Sequence, residues 1–172
     1  QTGKVNLYAD SLLSDYAKTN RPGASLYIKK DDKIIINKCY GYANIEENIR
    51  VAQNTNFRLA SVTKQFTAMA ILKLIEEGKL KFEYSLTEIF PDFPQYGRFI
   101  TIKHLLQHTS GLLSYESLLP DTLTVQVKDK DVLEIMKQQS KTYFEPGSVF
   151  RYSNSGYAVL AMIIEKVSGK SF

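Results

Sequence analysis

The sequence predicts an α+β fold, a helical body accompanied by the N-terminal hairpin of an antiparallel sheet whose later strands it lacks. Three observations point there. Two runs rich in Ile and Tyr flank an Asp31-Asp32 turn near the start. After Gly41 the apolar residues recur at helical spacing between long loops, and no second run reads convincingly as a strand. With 172 residues, 44% of them hydrophobic, the chain can bury one sizeable core. A hairpin alone is marginal in water, because its strand edges stay unpaired and half its apolar surface uncovered. Residues 1–172 therefore read as a single incomplete domain, with an N-terminal helix and hairpin in 1–45 and a mostly helical part in 46–172.

Leu7 to Asn20 sets Leu12, Leu13, Tyr16 and Ala17 at near-helical spacing, and Arg21-Pro22-Gly23 stops that helix with two strong breakers. Ala24 to Lys30 and Lys33 to Tyr42 are the hairpin strands. Ser61 to Glu77 is the best helix: Val62, Phe66, Met69, Ile71, Leu72, Leu74 and Ile75 form a wide apolar face, and Gly78 stands where a cap belongs. This pattern predicts a central, largely buried helix. Lys79 to Ile100 carries Pro91, Pro94 and Gly97 among aromatics, which predicts a loop packed onto the body. Short helices follow at Thr101 to Gln107, capped by Thr101, and at Asp129 to Gln139. Tyr157, Ala158, Leu160, Ala161, Ile164 and Val167 mark the last helix, closed by Gly169.

Composition removes several function classes. The net charge is +4 with basic and acidic residues interspersed, so no stripe or tail suits nucleic acid. Apolar runs are broken by Lys or Glu well short of the roughly 20 residues a membrane helix needs. The single cysteine, Cys39, sits in an alternating apolar stretch and reads as a small core residue. His104 and His108, the only histidines, are spaced i to i+4 with no further ligand pattern, and two ligands do not make a metal site. No serine lies in a Gly-x-Ser-x-Gly frame. The start at Gln1 instead of Met suits either a chain whose leader has been removed or one trimmed artificially.

Ser61-Val62-Thr63-Lys64 is the tetrapeptide with chemistry in it. At the first turn of a helix, residues three apart share a face, so the hydroxyl and the ammonium can touch. A serine hydroxyl needs a neighbouring base to become a nucleophile, and lysine can serve as base or relay. The first N–H groups of a helix have no internal partner, so that of Ser61 can face an oxyanion. Ser also caps helices and Lys is common on their surfaces, and about one Ser-x-x-Lys is expected by chance in a chain this long. A second element, Tyr152-Ser153-Asn154, follows the turn Glu145-Pro146-Gly147 and precedes the last helix, where a loop can present both flanking side chains to a cleft. Tyr loses its proton more readily beside an ammonium, and Asn offers both a donor and an acceptor to a substrate amide. The same Tyr-x-Asn pattern at Tyr42-Ala43-Asn44 reads as an aromatic followed by a turn residue.

Taken with Leu105-Leu106-Gln107-His108-Thr109-Ser110-Gly111-Leu112, and in this order, these elements resemble the penicillin-binding-protein and class C β-lactamase superfamily of serine hydrolases. The likeness runs from Phe57-Arg58-Leu59-Ala60-Ser61 to Ser155-Gly156-Tyr157. It implies a β-lactamase/transpeptidase-like fold, with Ser61 as the nucleophile that forms an acyl-enzyme, Lys64 and Tyr152 sharing the proton work, and Asn154 orienting a substrate amide. The His108 to Leu112 stretch is implied to be structural. No metal or organic cofactor is implied, and the location implied is the periplasm or the outer surface. The implied substrates are β-lactams, D-alanyl peptides or small esters; the alternative is a non-catalytic relative that binds cell-wall peptide or β-lactam.

One departure stands out. The superfamily's third motif, Lys or His followed by Thr or Ser and then Gly on a later strand, is absent, and Lys170-Ser171-Phe172 does not supply it. Lacking that strand's oxyanion donor, residues 1–172 alone are expected to hydrolyse acyl substrates poorly, as an N-terminal portion would. Uncovered apolar faces and strand edges predict self-association.

Overall fold

A computed structural model describes residues 2–172, which form two compact units, one ending at Arg58 and the other Leu59–Phe172.

In the first unit, helix α1 (Thr2–Leu12) is followed by a 3-10 turn, Ser14–Ala17. The helix lies earlier than Leu7 to Asn20: Leu13, at φ −100 and ψ 14, leaves helical geometry, and Ser14 and Asp15 are residues whose side chains compete for the backbone. Strands β1 (Ala24–Lys30) and β2 (Lys33–Tyr40) pair antiparallel, with a bulge between Ile28 and Lys29. Asp31 and Asp32 both take positive φ, 48 and 62, the left-handed pair that a two-residue hairpin turn requires. Asp10 of α1 accepts from Lys38 Nζ at 2.8 Å and from the Tyr40 hydroxyl at 2.9 Å, which ties the helix to β2. Cys39 is half-buried opposite Ser25.

Gly41 ends β2 at φ +61, and a Cβ there would lie 2.2 Å from the Tyr16 carbonyl oxygen, so only glycine fits the crossing. Beyond it, β3 (Tyr42–Asn44) pairs with β4 (Ile49–Arg50), a ladder too short for any alternating pattern to reveal. Asn44 is a turn residue in fact, its Oδ1 accepting the Glu47 N–H at 3.0 Å, while the Arg50 guanidinium lies 4.4 Å over the Tyr42 ring.

The second unit holds α2 (Thr63–Glu76), α3 (Leu86–Ile89), α4 (Ile102–Leu106), α5 (Asp129–Lys137) and α6 (Asn154–Ser168). Helix α6 is its centre, packing against α2, α4 and α5 and burying Ala158, Val159, Leu160, Ala161, Ile163 and Ile164. Helix α2 corrects the expectation of a largely buried element. Only Thr67, Ile71 and Leu74 are buried along it, while Phe66, Met69 and Leu72 are exposed. Its apolar face is wider than the face its neighbours cover. Gly78 and Gly169 stand past the two helices at φ +71 and +69, the capping conformation expected of them.

The segment from Lys79 to Ile100 packs onto the body through Leu80, Leu86, Ile89, Phe90, Phe93 and Ile100. It also contains α3, which departs from the loop expected there and is entered through a reciprocal cap between Ser85 and Glu88. The Tyr96 hydroxyl donates to the Met136 carbonyl at 2.6 Å, joining this segment to α5, and burial pushes its phenol well above the ordinary range.

Candidate active site

Ser61 lies in a 3-10 turn, Ala60–Val62, that leads directly into α2. Ala60, the residue before it, takes φ +46, a conformation rare outside glycine. Lys64, one turn later, brings Nζ to 3.2 Å from Ser61 Oγ. From the far end of the unit, the Tyr152 hydroxyl donates to the same Oγ at 2.7 Å. Asn154, the first residue of α6, accepts from Lys64 Nζ through Oδ1 at 2.7 Å. All four residues singled out in the sequence thus meet in one hydrogen-bonded cluster, open to solvent at Ser61, Tyr152 and Asn154.

Local hydrogen bonds explain why a loop 91 positions away reaches the serine. The His108–Gly111 stretch presents a row of carbonyls to the approaching chain: His108 accepts from Arg151 N–H at 2.8 Å, Thr109 from Gly147 N–H at 2.8 Å and Gly111 from Tyr143 N–H at 2.7 Å. Gly111 has φ +71, and a Cβ there would meet the Phe144 carbonyl oxygen at 2.5 Å. His108 itself, at φ +58, accepts the Ser153 N–H on Nδ1 at 3.1 Å. Its ring stacks 4.6 Å from that of Tyr152 and 4.9 Å from that of Tyr157. His104 is also engaged, accepting the Thr101 N–H on Nδ1 within the cap of α4. Both imidazoles therefore use a ring nitrogen to hold backbone.

The electrostatics favour a reactive phenol. The Lys64 ammonium, then the Ser61 hydroxyl, stabilise the Tyr152 phenolate and outweigh burial, so its pKa lies below the ordinary tyrosine value. The ammonium is also 4.8 Å from the centre of the Tyr152 ring. Burial, then repulsion from Lys64, lowers the pKa of His108, in keeping with a neutral ring that accepts through Nδ1.

Glu116 was not legible as a site residue. It sits on a 3-10 turn, Tyr115–Leu118, and its Oε1 accepts from Asn154 Nδ2 at 2.7 Å. In sequence it is one polar residue in an ordinary loop, and the only signal is its place shortly after the His108 to Leu112 stretch. Together with Leu112, Ser114, Tyr143, Arg151 and Asn154 it lines a small pocket of about 90 Å³. A larger hollow of about 410 Å³, between Lys128 and Phe172, contains none of the four clustered residues.

The family model described as Beta-lactamase matches residues 9–172, nearly the full length. The chain belongs to this family, within the penicillin-binding-protein and class C β-lactamase superfamily. Penicillin-binding protein 4* of Bacillus subtilis (strain 168) is 40% identical over 142 residues, covering 81% of this chain and 31% of its own length. Among solved structures, a penicillin-binding protein from Bacillus halodurans superposes with a TM-score of 0.77 at 33% identity, covering 94% of this chain and 48% of that one. The D-amino acid amidase from Ochrobactrum anthropi SV3 does so at 0.77 and 27% identity, with 96% and 46% covered. The chain spans about a third of the length of the curated relatives it matches, 31–32%. Its β-lactamase/transpeptidase-like fold accords with the α+β expectation, with helices dominating and two small antiparallel sheets among the described residues.

Proposed function

We propose that this chain carries the nucleophile and proton-transfer groups of an exported serine acyl hydrolase of the β-lactamase or D-alanyl-D-alanine peptidase type. The observation that carries this reading is the convergence of Lys64 and Tyr152 on one oxygen, Ser61 Oγ, at 3.2 and 2.7 Å. Ser61 Oγ bonds to the carbonyl carbon of the substrate while its proton passes to the phenolate form of Tyr152. The oxyanion that forms faces the N–H of Ser61 at the helix entrance. Tyr152 then hands the proton to the leaving nitrogen or oxygen as its bond to carbon breaks, with the Lys64 charge holding the phenolate between the two transfers. Water repeats the cycle on the acyl-enzyme, releasing the acid and restoring Ser61. Asn154, held by Lys64, offers an N–H of its amide to a substrate carbonyl.

The penicillin-binding relative and the D-amino acid amidase neighbour support amide-type acyl compounds as substrates, and small esters undergo the same steps. The test is to treat the full-length gene product with a labelled penicillin and with a phosphonate ester, then map the adduct by peptide mass spectrometry. An adduct on Ser61, lost in Ser61→Ala, is expected. No adduct with either probe overturns the reading and leaves a binding protein, and an adduct on another residue overturns the assignment of Ser61. The lifetime of the penicillin adduct separates the subclasses, since rapid release marks a β-lactamase or esterase and slow release a penicillin-binding role.

A further inference from the structure

Glu116 is a charged group in direct contact with the proposed site, and neither the proposed proton transfers nor the nucleophile uses it. Its carboxylate accepts from Asn154 Nδ2 at 2.7 Å through Oε1, and from the Ser114 hydroxyl through Oε2. Asn154 is gripped at its other end by Lys64 Nζ, at 2.7 Å from Oδ1. The amide therefore lies between an anion and a cation. Rotating it by half a turn would set its NH2 against the ammonium and its oxygen against the carboxylate, replacing two attractive contacts with two repulsive ones.

The loop that carries Glu116 is itself anchored to α6. Ser155, fully buried beside Asn154, accepts the Tyr115 N–H at 2.9 Å and donates to the Leu113 carbonyl at 2.7 Å. The residue before Glu116 and the residue after Asn154 are thus hydrogen-bonded to each other, which holds the carboxylate over the amide. Burial alone would raise the pKa of Glu116, yet the hydrogen bonds from Ser114 and Asn154 and the Lys64 charge outweigh it, so the carboxylate is the stable form at neutral pH.

We propose that Glu116 is a positioning residue for acyl transfer: it locks the Asn154 amide with oxygen toward Lys64, leaving the second N–H of Nδ2 for the carbonyl of an acylamino substrate. The inference rests on the acyl-transfer reading above. It makes Glu116 matter for substrates that carry such an amide and not for those that lack one.

The experiment measures second-order acylation of the full-length gene product by benzylpenicillin, which carries an acylamino group, and by p-nitrophenyl acetate, which does not. Glu116→Ala is expected to slow the penicillin reaction about tenfold, the effect of losing one charge-assisted hydrogen bond, and the acetate reaction less than twofold. Glu116→Gln, which restores an acceptor to Asn154, is expected to recover most of the loss. In an Asn154→Ala background, Glu116→Ala should add nothing, because its only route to the substrate is gone. Equal losses on both substrates, or losses that add in the double variant, overturn the inference while Ser61 labelling in the parent protein keeps the acyl-transfer reading. A parent protein that neither probe labels at Ser61 overturns both. Glu116 is exposed, so the variants are expected to fold, and thermal melting checks this.

Discussion

Helices α2 and α6 both open at the site, but they are built differently. Helix α6 starts with a regular cap, the Ser153 Oγ accepting the Gly156 N–H at 3.0 Å, ends on Gly169 at φ +69, and is buried along most of its length. Helix α2 has no side-chain cap, is entered through a 3-10 turn behind Ala60 at φ +46, and buries one narrow stripe. Asn154 thus projects from a firmly packed support. Ser61 and Lys64 project from an element whose entrance stores local strain, a pattern that recurs where backbone geometry serves chemistry. Ser61 and Lys64 on the one side and Asn154 on the other thus rest on helices packed to different extents, so stability and the proposed acylation are expected to respond to different residues.

The two helices differ most in what they bury. Leu160, fully buried on α6, is expected to cost about 2–5 kcal/mol of unfolding free energy when cut to alanine, since the cavity it leaves cannot collapse completely. Phe66 on α2 is 60% exposed, and Phe66→Ala is expected to stay within about 0.5 kcal/mol in this chain. Urea denaturation of the two variants measures both. Similar losses would mean that the uncovered face of α2 is packed in solution, by self-association for example, which sedimentation would then detect.

His108 braces the start of α6, stacked on Tyr152 and Tyr157 with Nδ1 accepting from Ser153. Its pKa is lowered in the folded state, so the unfolded chain takes up the proton first as pH falls. The stability that His108 contributes is therefore fully present above the ordinary histidine value of 6.5 and is lost as pH drops through the lower folded value. The charged and titratable groups around the ring are the Lys64 ammonium, whose charge helps to lower the His108 pKa, and the phenols of Tyr152 and Tyr157 stacked on it. The melting temperature of the parent chain should decline between pH 7 and 5. His108→Asn, which tolerates the positive φ, should lose about 1 kcal/mol at neutral pH and give a flatter profile. An unchanged slope would mean that His108 is not the group behind the decline.

Much of this arrangement was legible because its signals are local. The Asp31-Asp32 hairpin, the Thr101 cap and the Gly78 and Gly169 stops each depend on a few adjacent residues. Ser61 and Lys64 are three apart, so helical geometry alone predicts their contact, whereas the meeting with Tyr152 and Asn154 came from the order of motifs in a known superfamily. What stayed hidden was tertiary. Whether Phe66 and Met69 are covered depends on neighbours that a periodic pattern cannot name, and Glu116 acquires meaning only once Ser155 pins its loop beside Asn154. The His108 stretch read as structural, and its carbonyl row is what carries Tyr152 to the serine.

The smallest expected effect lies at the entrance of α2. Ala60 holds φ +46, where an alanine costs roughly 1–2 kcal/mol relative to ordinary backbone. Ala60→Gly removes that cost but gives the unfolded chain more freedom, a loss of roughly 0.5–1 kcal/mol, so a net gain of about 0.5 kcal/mol is expected. Glycine also releases the restriction that aims Ser61 at Lys64 and Tyr152, so acylation should slow by a small factor, about twofold to fivefold, while the melting temperature rises slightly. Opposite signs in the two measurements are what a strained entrance serving reactivity requires. If Ala60→Gly lowered stability and rate together, the positive φ would be an ordinary consequence of packing, and α2 would differ from α6 in burial alone.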